Sequence, residues 1–193
     1  MTGLRAQDIL TFHEGGHAAA PASALWTAIG DNHRHNRLLW DEEDLARRKT
    51  VPDTEIAKNK RAIDGFNQKR NDAIERIDEE LLSSLADVKR RESAKLNSET
   101  AGAMIDRLSI LSLKIHHMRL QTERTDVDRA HIDSCRAKLA RLDEQRTDLA
   151  ACLDRLLAEC SRGESYFKVY RQFKMYNDPA LNPAVYGESK RSS

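Results

Sequence analysis

The chain has 193 residues, a third of them charged, and its 32 lysines and arginines nearly balance 31 aspartates and glutamates. That length suits one domain with a real core, and the balance leaves no global field to draw it towards nucleic acid or an anionic membrane. No apolar run approaches the roughly 20 residues of a membrane span and no signal-peptide pattern opens the chain, so a cytoplasmic protein is expected.

In residues 1–20, Gly15, Gly16, the alanines and the following Pro21 break any long helix, and an irregular segment is expected. His13, Glu14 and His17 spell the metalloprotease pattern His-Glu-x-x-His, which needs a continuous helix to bring both imidazoles to one zinc. Two adjacent glycines cost such a helix roughly 2 kcal/mol relative to alanine. No third ligand follows at the metzincin spacing, although Glu42 or Glu43 could serve as a distant one. The match therefore reads as accidental, and no metal site is expected.

The first strong helix spans Leu25 to Arg48, with Leu25, Ile29, Asn36, Leu39, Trp40 and Glu43 near one face. Thr50, Val51, Pro52 and Asp53 then form a capping pattern for a second helix running to about Arg91. It carries two stripes side by side: Ile63, Phe66, Ile74, Ile77 and Leu81 seek a core, while Asp64, Asn67, Asn71, Glu75 and Asp78 follow one position later. Asn97 and Ser98 offer caps for a third helix with a heptad seam of Met104, Leu108, Leu111, Ile115 and Met118. Thr125 with Asp128 opens a fourth, whose heptad runs from Ile132 through Cys135, Leu139, Leu142, Arg146, Leu149, Leu153 and Leu156 to Cys160, where Gly163 closes it. Cys152 and Cys160 lie about 12 Å apart on that helix, too far for a disulfide, so they and Cys135 read as reduced core cysteines.

Tyr166, Phe167, Tyr170, Phe173, Tyr176 and Tyr186 crowd the last segment, and such clustering implies docking. With Lys168, Arg171 and Lys174 interleaved it could stack RNA bases, but a short amphipathic helix packing on the bundle is the simpler reading, and a nucleic-acid partner is not expected. Residues 177–193 then form a turn-rich tail. The whole is an all-α antiparallel long-helix bundle over residues 21–176 with a docked C-terminal aromatic segment.

A hairpin turning near residue 50 sets Asn36 opposite Asp64, with Trp40, Glu43, Lys60, Asn67 and Asn71 within about two turns. A second turn near residue 96 would bring Glu75 to His117 and Asp78 to Lys114. These groups form either a network that fixes helix register or a pocket for a polar ligand. Arg70 and Arg146 occupy seam positions, where a guanidinium needs a carboxylate or an anionic ligand. Glu75-x-x-Asp78 with Glu42, Glu43 and Asp44 also suggests the magnesium sites of all-α nucleotide pyrophosphohydrolases, but the hairpin register separates the two acid clusters by roughly 25 Å. Helix lengths further predict a two-helix projection exposing Leu39, Trp40, Ile63 and Phe66, and hence a homodimer through that surface.

Asn36 to Arg47 (NRLLWDEEDLAR), Lys60 to Asp78 (KRAIDGFNQKRNDAIERID), Asn97 to Met118 (NSETAGAMIDRLSILSLKIHHM) and Phe167 to Pro179 (FKVYRQFKMYNDP) together resemble the bacterial proteins of domain of unknown function 4254. Ala101 stands where that family often has proline. The resemblance implies an α-helical fold without an established activity. It also implies an association with sugar-transferring enzymes of the cell envelope, and hence a glycosyltransferase as partner. The expected function is a ligand-binding or accessory protein linked to envelope glycan assembly. The alternative is a metal-dependent enzyme on phosphorylated or nucleotide-linked substrates, using Asp64, Glu75 or Asp78.

Overall fold

The computed structural model describes residues 3–15, 22–172, 175, 178–184, 186 and 187. Among these, the elements in chain order are α1 (Ala6–His13), α2 (Ala24–Leu45), α3 (Asp53–Ser84), β1 (Lys95–Leu96), α4 (Ala101–Thr122), α5 (Arg129–Ser161) and β2 (Ser165–Tyr166). The all-α bundle holds, and no helix among the described residues is long and apolar enough to cross a membrane.

Side-chain caps start three of the long helices: Ser23 accepts from the Trp26 N–H, Thr100 from Ala103 and Asp128 from His131. For α3 the expected Thr50 cap gives way to Pro52, with Asp53 and Glu55 in the first turn facing the positive end of the helix dipole. The helix stops at Ser84 rather than near Arg91. Residues 85–100 form a long connection in which β1 pairs in parallel with β2. Gly163 makes that pairing possible: its φ is +69°, and a Cβ there would sit 2.3 Å from the Lys89 carbonyl oxygen.

The N-terminal segment is not irregular throughout. Ala6, Ile9 and Leu10 of α1 are buried in the main core with Ile29, Ile77, Leu81, Leu108 and Leu153. Its first turn is tied to α5 by the Ala6 N–H on Asp154 at 2.8 Å. Gly15, with φ +92°, follows the Glu14 cap, so the helix stops after two turns there without being prevented.

The α2–α3 hairpin follows the expected register: Asn59 donates to Glu42 at 2.6 Å, and the His35 ring stacks on Phe66 at 6.3 Å. The placement of α4 differs from expectation. Asp78 meets Gly102 where Lys114 was expected, so α4 lies about three turns further along α3. The cause is the early end of α3 and the length of the connection after it, where a tight turn near residue 96 was assumed. Two expected pairs, Glu75 with His117 and Asp78 with Lys114, are therefore not formed. The shift also removes the two-helix projection, because α4 now runs beside the hairpin: Leu39 and Ile63 are buried, and Trp40 stacks on His117 of α4. Of the residues on which the homodimer was predicted, Leu39 and Ile63 are buried within the chain and Trp40 and Phe66 are half-buried.

The C-terminal segment docks, but as an extended strap instead of a helix up to Gln172. Phe167 is 2 % exposed in the main core. Arg90 lies 3.6 Å over the Tyr166 ring, and Arg171 pairs with Glu75 at 2.9 Å and Glu79 at 2.6 Å. Two of the rings and one of the cations invoked for RNA are thus already engaged. Phe173, Lys174 and Tyr176 lie outside the described residues. Cys135, Cys152 and Cys160 are all free thiols, as expected.

Asp78 holds the start of α4 through the Gly102 N–H at 2.6 Å. Burial pushes its carboxyl up to about 6, against the opposing hydrogen bonds from Thr100 and Gly102. The folded protein therefore holds this proton more tightly than the unfolded chain, which favours folding below about pH 4 and less and less as pH rises to about 6. Asp78→Asn keeps an acceptor without the charge. Urea denaturation across that window should show the variant lacking a fall on the order of 3 kcal/mol seen in the wild type; parallel curves would mean that the carboxylate is solvated.

Candidate functional site

A buried polar network joins α2, α3 and α4. Asp106 is 3 % exposed. Its Oδ1 accepts from Asn32 Nδ2 at 2.8 Å, Asn36 Nδ2 at 2.9 Å and Arg70 Nε at 2.8 Å, while Oδ2 accepts from Arg70 Nη2. The bidentate pair compensates a charge that would otherwise be costly to bury, and the bond to Asp106 holds the guanidinium pKa above its usual value. Asn36 Nδ2 also donates to Ser109 Oγ at 3.0 Å, and that hydroxyl lies 2.8 Å from His33 Nδ1. Having accepted from Asn36, the hydroxyl can donate to a neutral His33, whose pKa burial and then Arg37 lower to about 4. Arg146, the other seam arginine, is also half-buried and pairs with Glu14 at 2.5 Å and Asp143 at 3.2 Å.

Beyond this network the helices leave two adjoining grooves that share Trp40 and Asp44. The smaller, about 300 Å³, is lined by Asn36, Leu39, Glu43, Asn67 and Arg70 among others. The larger trough, about 650 Å³, lies between α2, α4 and α5. Its lining follows helical spacing on each element: Trp40 and Asp44 on α2; Lys114, His117, Met118 and Gln121 on α4; Lys138, Arg141 and Leu142 on α5. Trp40 and His117 stack at 4.3 Å with their planes 5° apart, and the indole Nε1 is buried without an acceptor. Burial, then His116, lowers the His117 pKa, so this ring is a neutral, flat surface at pH 7.

Of the residues singled out from sequence, Asn36, Trp40, Glu43, Asn67, Arg70, Lys114 and His117 fall on these two grooves. The other five do not. Lys60 and Asp64 pair with each other at 2.8 Å on the exposed face, and Glu75 accepts from Arg171 and the Gln172 N–H. Asp78 caps α4, and Asn71 is half-buried on α3, lining neither groove. Asp64, Glu75 and Asp78 thus hold separate partners and do not converge. Sequence reasoning missed Asp106, Asn32 and Ser109. The signal was present: Asn32 lies one turn before Asn36 on the same face, and Asp106 interrupts an apolar run at a core position. Lys138 and Arg141 were passed over because they flank the α5 heptad.

The metalloprotease pattern does not continue along a helix, since α1 ends at His13. His17 lies outside the described residues. Glu14 is engaged by Arg146, and His13 is buried, stacked on His33 at 4.5 Å, with neither ring nitrogen hydrogen-bonded. Among the described residues no group of three or more His, Cys, Asp or Glu is arranged to hold a metal ion.

This helical bundle matches the family model described as "Protein of unknown function (DUF4254)" over residues 26–169, and the chain belongs to that family. The match takes in α2 to α5 and therefore both grooves. Among curated proteins and among solved structures, no match to the chain is found.

Two outcomes follow from the buried groups. Replacing Arg70 with alanine leaves Asp106 charged and without its cation, and should cost about 3–5 kcal/mol in chemical denaturation; a loss below about half a kcal/mol would mean that the pair is solvated. Burial, then the neighbouring His33, holds His13 down to about 3. The unfolded chain therefore binds this proton more readily, and stability present above about pH 6.5 is lost as pH falls towards 3. His13→Phe should remove an acid-side loss on the order of 5 kcal/mol from the stability profile. An unchanged acid limb would show that His13 already meets solvent.

Proposed function

We propose that this protein is a ligand-binding or accessory protein, with its ligand held in the trough at Trp40, and that it serves envelope glycan chemistry. The observation that carries the binding reading is the trough itself. At about 650 Å³ it has the size of a small-molecule site, with Trp40, Met118 and Leu142 as apolar surface and a few polar groups around them. The glycan setting and a glycosyltransferase partner rest on the family resemblance. Asn36 and Arg70 of the Asp106 network line the adjoining groove, so a hydrogen-bonded frame stands next to the site, which favours binding of a ligand without large rearrangement.

Trp40 is a built-in reporter, since the chain has two tryptophans and Trp26→Phe leaves it alone. In that background, titration with sugars, sugar phosphates and nucleotide sugars should give a saturable change in Trp40 emission with the added compound recovered intact. Conversion of the compound would move the reading to an enzyme. Absence of any response across the panel, together with no glycosyltransferase retained on the immobilised full chain, would reject the proposal.

A further inference from the structure

The charges around the trough narrow its ligand. Lys114, Lys138 and Arg141 stand on its wall, and none of the three has an ion pair or hydrogen bond among the described residues. Among the described residues most other arginines hold a carboxylate, Arg70, Arg76, Arg107, Arg146 and Arg171 among them, whereas of the lysines only Lys60 has an ion pair, so what sets the trough apart is the grouping of three cations on one wall. The one acid that shares the trough, Asp44, is exposed and also has no cation partner. Three cations brought together from two helices repel one another, and an anion relieves that repulsion. Lys138 and Arg141 lie one turn apart on α5, and antiparallel α4 brings Lys114 alongside.

The remainder of the lining asks for something besides an anion. Trp40 and the neutral His117, stacked on each other, line it with aromatic surface, Met118 and Leu142 add apolar surface, and Asp44 offers acceptors to a hydroxyl or amino group. An inorganic phosphate would leave that surface unused, and a neutral sugar would leave the cations unneutralised. A ring, a polyol and a phosphate in one small molecule use all three.

We propose that the trough binds a soluble nucleoside phosphate, its phosphates held by Lys114, Lys138 and Arg141, its base against the aromatic and apolar wall, and its sugar hydroxyls near Asp44. This rests on the reading of the trough as a ligand site, and it adds the chemical class. Three cations against one carboxylate leave a charge of about +2, which the phosphate end of a nucleotide neutralises and a nucleoside does not.

Calorimetry on the full chain tests it, with ADP, GDP, CDP and UDP as probes, the corresponding nucleosides and inorganic pyrophosphate as partial ligands, and phosphatidylglycerol vesicles as an alternative anionic surface. At least one nucleotide should bind tenfold or more tighter than both its nucleoside and pyrophosphate. Lys138→Gln with Arg141→Gln, both on the exposed rim, should weaken that nucleotide at least tenfold while thermal melting stays within a few degrees of wild type. Binding of pyrophosphate as tight as any nucleotide, vesicle binding without nucleotide binding, or a nucleotide unaffected by the double variant would each overturn the proposal. If no nucleotide binds but a neutral sugar changes Trp40 emission, the ligand class is wrong while the trough remains the site. If nothing perturbs Trp40, the underlying reading fails as well.

Discussion

A carboxylate taken out of water costs several kcal/mol unless its oxygens are fully used, and Asp106 on α4 sits in that position between α2 and α3. It is stable there only in one arrangement. Arg70 of α3 must approach with both nitrogens, and Asn32 and Asn36 must stand one turn apart on the face of α2 that points inward. A slip of α4 by one turn along either neighbour would leave the carboxylate, the guanidinium and two amides buried without partners. Apolar seams tolerate such slips, because Leu and Ile at heptad spacing look alike from turn to turn. The polar cluster therefore supplies the register that the hydrophobic seam leaves open.

That register has consequences well away from Asp106. It places His117 against Trp40 and sets Gly102 against Ile74 and Asp78, where a Cβ would come within 2.6 Å of the Ile74 carbonyl oxygen. Close approach at Gly102 lets a side chain of α3 cap the start of α4, so the helix is fixed at its first turn and again, at Asp106, a turn later. Further along, Ile110 and Leu113 of α4 lie beside the buried Leu39, which would otherwise stand on an open hairpin. The trough forms where α4 and α5 pass α2 with Lys114, Lys138 and Arg141 at its edges.

The helices and the α2–α3 register were legible because apolar periodicity and caps are local signals, and a short connection near residue 50 leaves few ways to turn. The placement of α4 was not. It depends on where α3 ends and how residues 85–100 are spent, and that is decided by a two-residue strand pairing with a segment about seventy positions later. No periodicity announces a contact of that kind. The site was half-legible for the same reason: Asn36, Trp40, Glu43, Asn67 and Arg70 follow from the hairpin alone, whereas Lys114 and His117 reached the trough by a register other than the one expected. The stripe of Asp64, Glu75 and Asp78 looked uniform in sequence, yet along a helix of 32 residues its acids met different surroundings: Asp64 pairs within α3 with Lys60, Glu75 meets the C-terminal strap and Asp78 meets α4.

The histidines extend the polar frame in the opposite electrostatic sense. The buried His13 and the half-buried His33 stack as neutral rings, and His33 is joined through Ser109 and Asn36 to a carboxylate already compensated by arginine. No negative charge is left over for an imidazolium, so the frame is complete only when both rings are unprotonated. Around the trough the balance is reversed, with cations in excess and a single acid. Had the three cations been structural, carboxylates from the acid-rich faces of α2 and α5 could have neutralised them at little cost, as they do for Arg47 and Arg146. The same helices thus pair the cations that hold the fold together and gather three unpaired ones beside a single acid at the trough, and that grouping is the physical ground for reading the trough as a place where an anion binds.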